Sequence, residues 1–186
     1  VISCEDPQNI QVRLRADNAA DFRQWFYFRL QGAAYLPCVI DFGNVADSAY
    51  PQGWEDYQAV ASYDRKNWFR VPTEWVSGCL KIHHTPLANS VYYAYFEPYS
   101  YEQHLNLLGE IQGSGLCQIE DLGQTIDGRD LNMLVIGNQM ESDIKIWLIA
   151  RQHPGETMAE WLAEGFLLRL VDFQESLSRS LLDMAT

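Results

Sequence analysis

The sequence predicts two domains of different class: an all-β antiparallel sandwich or barrel over residues 1–98, then the first part of an α/β unit with a mixed sheet over residues 99–186. Three observations carry this. Short alternating or aromatic runs recur through the first half, with turn-forming residues between them. Around Pro98 the apolar spacing changes from the period of a strand to that of a helix. Beyond it, a nearly continuous apolar run at residues 144–150 leads through a loop into an amphipathic pattern, the order of a doubly covered parallel strand and its helix.

Taken in order, IQVRLR at residues 10–15 alternates apolar and polar, and QWFYFRL at 24–30 is a dense aromatic run; both fit half-buried strands. Further strands are expected at 38–42, 78–83 and 91–96, separated by turn-formers at Gly43 and Asn44, at 50–53 and at 71–73. Ser100 is a candidate cap for a helix carrying Leu105 and Leu108 on one side. A hairpin is expected from 117–122 to 131–136, reversing near Asp127 and Gly128. After the apolar strand, a helix from Glu156 should bury Met158, Trp161, Leu162, Phe166 and Leu170, leaving Glu160, Glu164 and Arg169 solvated. A last helix over 173–184 should bury Leu177, Leu181 and Leu182.

At 47% hydrophobic residues in 186, the chain can bury a core, which excludes a disordered or low-complexity protein. Its 25 Asp and Glu against 13 Lys and Arg give a net charge of −12, which argues against nucleic acid as a partner. No apolar run reaches the roughly 18–20 residues that span a bilayer, and the first residues lack a signal-peptide pattern, so a soluble, cytoplasmic protein without a membrane partner is expected. Cys4, Cys38, Cys79 and Cys117 are too widely spaced for a small disulfide scaffold, so free, mostly buried thiols are expected. The opening Val reads as a processed or trimmed start. A lone parallel strand with one helix satisfies neither of its edges and needs further parallel strands, each after a long crossover. The chain therefore reads as the front portion of a larger fold.

The segment richest in chemistry is ARQHPGET at residues 150–157. His153 and Glu156 stand three apart at the carboxyl end of the apolar strand and the start of a helix, where open α/β sheets place their sites. Imidazole nitrogen and carboxylate oxygen are both Zn²⁺ ligands, and a catalytic zinc takes three protein ligands and an open position. Pro154 stiffens the intervening turn and Gly155 admits a conformation a β-carbon would hinder. The bare pair has another reading: Glu156 as a carboxylate complementing the helix dipole, and His153 as a loop histidine. Arg151 and Gln152 are placed to orient the ligands or to touch substrate, or Arg151 could make a surface ion pair. His83, His84 and His104 lie upstream, and nothing in the sequence brings them to the motif.

ARQHPGET resembles the zinc-binding motif of the M14 metallocarboxypeptidases, in the cytosolic carboxypeptidase subfamily and its bacterial relatives. WFYFR at 25–29, NWFRVP at 67–72 and YYAYFEP at 92–98 are similar to the β-rich amino-terminal domain of that subfamily, and GQTIDGR at 123–129 resembles the opening hairpin of its catalytic domain. The resemblance implies a zinc exopeptidase that removes carboxyl-terminal residues, including glutamates of tubulin and other acidic tails in eukaryotic members. His153 and Glu156 then match the first two zinc ligands. The family's third ligand, its general-base glutamate and its substrate-binding arginines are expected past Thr186, so this portion alone is expected to be inactive. Digestive members resemble His-x-Arg-Glu here, whereas Gly155 precedes the glutamate in this chain. With a net charge of −12, an acidic tail would need a local basic cleft built mainly from other residues. The alternative reading is a non-catalytic β-rich domain that binds peptide through its aromatic side chains, with a degenerate α/β appendage.

Overall fold

A computed structural model describes residues 1–137 and 144–186. In the first unit, Val1–Pro98, the strands are β1 (Ile10–Val12), β2 (Tyr27–Gln31), β3 (Cys38–Phe42), β4 (Val60–Ser62), β5 (Trp68–Arg70), β6 (Thr73–Val76), β7 (Cys79–His84) and β8 (Ser90–Ala94). They form two four-stranded sheets, ordered β1-β3-β7-β6 and β2-β8-β4-β5. One buried cluster joins them, with Ile10, Val12, Ile40, Phe42, Leu80 and Ile82 from the first and Val91, Tyr93 and Ala61 from the second. Each large side chain so buried contributes about 1.5–3 kcal/mol, and period-two alternation places them: β3 reads buried, half-buried, buried, half-buried, buried.

The sandwich is not wholly antiparallel as expected, because β1 pairs in parallel with β3, Ile10 opposite Ile40 and Val12 opposite Phe42. A parallel pair cannot be joined by a tight turn, and here the connection runs through β2 in the other sheet. β1 also stops at Val12 rather than continuing to residue 15. Leu14 remains buried, but its backbone N–H donates to Asn44 Oδ1 (2.8 Å) and its carbonyl accepts from Asn44 Nδ2 (3.1 Å), so a side-chain amide replaces the ladder. β4, β5 and β6 were not expected from the sequence; at three or four residues they are too short to show alternation. The β6–β7 hairpin turns on Ser77 and Gly78, at φ 52° and 78°, the left-handed pair that matches strand twist. Aromatic residues face both ways: Trp54, Tyr93 and Phe42 are fully buried, whereas Tyr27 touches Trp68 and Tyr92 across the outward face of the second sheet, with centroids 6.2 Å apart in each pair.

The second unit, Tyr99–Thr186, has α1 (Tyr101–Gly113), β9 (Cys117–Gln124), β10 (Asp130–Ile136), α2 (Thr157–Leu170) and α3 (Ser176–Met184). α1 starts with a capping box: Ser100 Oγ accepts from Gln103 N–H (3.2 Å) while Gln103 Oε1 accepts from Ser100 N–H (2.9 Å). β9 and β10 form an antiparallel hairpin, Ile136 opposite Cys117. Leu107, Ile111, Cys117 and Ile136 make its core, against which Leu134, Leu167, Leu168 and Leu182 pack. The four cysteines are free, with Cys38 and Cys117 buried.

Three expectations about this unit are corrected. Residues 144–150 are not a covered strand. Ile144 bridges Ala185 in parallel, Thr186 N–H donates to Ile144 O (2.9 Å) and Ile146 N–H donates to Thr186 O (2.8 Å), but the run is otherwise irregular, with Trp147 75% and Ile149 67% exposed. Among the described residues a parallel ladder begins at Ile144 and does not continue along the run. Of the face expected for α2, Leu170 packs on the core and Trp161 meets the Tyr99 ring edge-on at 4.8 Å, but Met158, Leu162 and Phe166 are exposed, and Ala163, Leu167 and Leu168 are buried or packed instead. In α3, Leu177 is exposed while Leu182 packs on the core.

Candidate metal centre

Residues 151–156 connect the apolar run to α2. The Glu156 N–H donates to the His153 carbonyl at 3.0 Å, closing a four-residue turn with Pro154 and Gly155 at its centre. Glu156 is the residue before α2, and Ala159 N–H donates to its carbonyl at 3.1 Å, so the helix starts directly from the turn. His153 and Glu156 are both exposed. One imidazole and one carboxylate on a short closed turn are donor types that a catalytic zinc accepts, and such a zinc takes three protein ligands. Among the described residues, no group of three or more His, Cys, Asp or Glu side chains converges as a metal site. The donor set fits zinc as far as it goes.

Behind the turn is a polar network. Arg151 adopts φ 54°, the left-handed region, which costs a residue with a β-carbon about 1–2 kcal/mol. Its guanidinium donates to the Pro154 carbonyl from Nε (3.3 Å) and Nη2 (3.2 Å), and to the Tyr99 carbonyl from Nη1 (3.0 Å). Nη1 also stands 4.0 Å from Glu160 Oε2. The other oxygen of Glu160 accepts from Nδ1 of His104 at 2.8 Å, an arrangement that fixes the imidazole tautomer, since an ionised carboxylate only accepts. The Tyr101 ring stacks beside His104, and Arg129 lies over Tyr101 at 4.4 Å. One turn along α2, Glu164 Oε2 accepts from Tyr99 Oη at 2.6 Å. Burial, that hydrogen bond and the carboxylate charge push the Tyr99 phenol well above its ordinary pKa.

Glu160 and Glu164 are therefore not solvated helix charges; only 14% of the Glu160 side chain is exposed. The signal was present, because carboxylates four apart share a helix face, but a partner on α1 could not be read from the sequence. The remaining histidines are engaged elsewhere: His83 pairs with Glu74 at 2.9 Å, and His84 bonds Tyr93 Oη at 2.8 Å. The carboxylate paired with Arg151 is the largely buried Glu160, and Gln152 is exposed beside the turn.

Comparison with known proteins gives two family matches. Residues 1–96 match the cytosolic carboxypeptidase N-terminal domain and residues 102–185 match zinc carboxypeptidase. An uncharacterised protein of Zymomonas mobilis is 45% identical over 177 residues, covering 95% of this chain and 46% of that protein. Mouse cytosolic carboxypeptidase 6 is 29% identical over 171 residues, covering 81% of this chain and 32% of that protein. The crystal structure of a metallo-carboxypeptidase from Burkholderia cenocepacia superposes with a TM-score of 0.95 at 46% identity, over 100% of this chain and 50% of that one. The chain spans half or less of the length of each.

Proposed function

The chain belongs to the M14 metallocarboxypeptidase family, in the branch that carries the cytosolic carboxypeptidase N-terminal domain, and on that premise we propose that the protein is a zinc-dependent hydrolase removing carboxyl-terminal residues from peptides or proteins. The observation that carries the reading is the closed turn from His153 to Glu156, which presents an imidazole and a carboxylate at the start of α2 inside the segment matched to zinc carboxypeptidase.

His153 and Glu156 would hold the metal with a third ligand from outside residues 1–186. Zinc bound there supplies Lewis acidity, polarising a carbonyl and lowering the pKa of water from 15.7 to about 7. The residues of this chain have a narrower part. The turn keeps the two donors on one short backbone unit, and Gln152, exposed beside it, would touch substrate or help orient the ligands. Glu160 and Glu164 are committed to His104 and Tyr99, so neither serves as general base. On this reading the base and the third ligand would come from other residues, and residues 1–186 alone would not hydrolyse peptide.

The substrate class belongs to the same proposal: carboxyl-terminal tails, with glutamates preferred. Because the charge of −12 repels an acidic tail, the preference requires a local basic cleft. A cytoplasmic location fits the relative named a cytosolic carboxypeptidase, and no described helix is long and apolar enough to cross a membrane.

The test is release of terminal residues by the encoded protein, including any sequence that continues past Thr186. Chelator-sensitive release, abolished by His153→Ala, is expected, with kcat/KM higher for glutamate-ending than for neutral-ending peptides. Release unaffected by His153→Ala contradicts the zinc role, and equal kcat/KM for the two peptide classes contradicts the preference.

A further inference from the structure

We infer that Arg151 is a positioning residue for the candidate ligand pair, and that Glu160 and His104 act through it. The inference rests on the zinc reading of His153 and Glu156. Two donors on a turn hold one metal well only if the peptide between them cannot rotate, and that peptide's carbonyl, on Pro154, accepts two hydrogen bonds from Arg151. The third bond, to the Tyr99 carbonyl, ties the same guanidinium to the backbone just before α1. A planar fork with several donors in fixed geometry serves two carbonyls and holds their directions, whereas the donors of a lysine ammonium rotate on a flexible stem.

Glu160 makes the clamp directional. One of its oxygens faces Arg151 Nη1 and the other accepts from His104, so α1 holds the carboxylate and the carboxylate holds the guanidinium. The left-handed backbone at Arg151 is the remaining sign. Such strain persists where the surroundings over-determine a conformation, and here it aims the side chain back over its own loop. Neither Glu160 nor His104 touches the metal position in this scheme. They keep the turn in one of the shapes it could take, as outer partners of metal ligands commonly do.

The test uses the encoded protein in full, as wild type, Arg151→Gln, Glu160→Gln and the double variant. Zinc affinity is measured by competition with a chromophoric chelator, the visible spectrum is recorded after saturation with Co²⁺, and Tm is taken for each metal-free protein. Arg151→Gln is expected to weaken zinc roughly 10–100-fold and to shift the cobalt bands. Glu160→Gln, which can still accept from His104, should weaken zinc less and add nothing in the Arg151→Gln background. Wild-type affinity and an unchanged cobalt spectrum in Arg151→Gln overturn the inference, even if Tm falls, because a merely structural role moves stability and not the saturated spectrum. Independent, additive effects of the two substitutions overturn the part assigned to Glu160. If Arg151→Gln does not fold, Glu160→Gln decides, and wild-type zinc affinity there overturns the inference. Failure of the zinc reading looks different: the wild type takes up no zinc, or takes it up regardless of His153.

Discussion

At Gly137 the backbone adopts φ 105°, and a β-carbon placed there would stand 2.9 Å from the Ala185 carbonyl oxygen. That approach brings the end of β10 against the residues that pair with Ile144, so the side-chain-free position is needed twice over. Gly137→Ala should destabilise the chain by at least about 1–2 kcal/mol, the cost of the left-handed backbone alone, read as a lower denaturation midpoint; an unchanged midpoint would show that the two segments are not packed as described. His84 offers a test in pH. Burial lowers its pKa from the ordinary 6.5, its ring lies between the hydroxyls of Tyr93 and Tyr63, and the Phe69 ring meets it edge-on. The unfolded chain then binds a proton that the folded chain refuses, so stability is fully present above pH 6.5 and declines as pH falls through that value. Tm measured from pH 7.5 to 5.5 should fall, and His84→Gln should flatten the fall. An equal slope in the variant would remove His84 as its source.

Among the elements, α1 tests how far local chemistry decides structure. Ser100 was readable as a cap because a short hydroxyl residue stood before the helical spacing, and Gln103 completes the reciprocal box. Ser100→Ala should cost about 1 kcal/mol, measured by denaturation, and Ser100→Asp should restore most of it. The hairpin of β9 and β10 and strand β3 were equally legible, since alternation and a turn carrying Asp127 and Gly128 are encoded within a few residues. The elements that escaped depend on distant partners. Residues 144–150 have strand composition, yet a strand needs a partner along its length, and the ladder described here is the short one to Ala185 and Thr186. The packing face of α2 is only partly legible for a related reason: Trp161 and Leu170 pack as their spacing predicts, but Leu162 and Leu167 are equally apolar, and only the position of the β9–β10 core chooses between them. The candidate ligands His153 and Glu156 could be named from sequence because their spacing is local. The clamp of Arg151, Glu160 and His104 could not, because it joins residues 56 apart in the chain.

In the second unit, large apolar side chains stand exposed, among them Ile146, Trp147, Ile149 and Leu162. Exposed apolar side chains, where they adjoin, mark an interface or an aggregation hazard. On the proposed reading, a polypeptide of residues 1–186 should bind ANS and self-associate, and one extended to the length of its relatives should lose both properties; equal dye binding would show that the surface is not a site of further folding. The first unit has its own core, so its unfolding should register separately from that of the second. On the proposed reading, the turn on the second unit holds zinc through His153 and Glu156. The most direct measurement is the zinc content of the encoded protein, with any sequence past Thr186, after dialysis against trace metal. One equivalent per chain, lost in both His153→Ala and Glu156→Ala while each variant stays folded, is the result expected. No zinc in the wild type, or the same content in the variants, would contradict it.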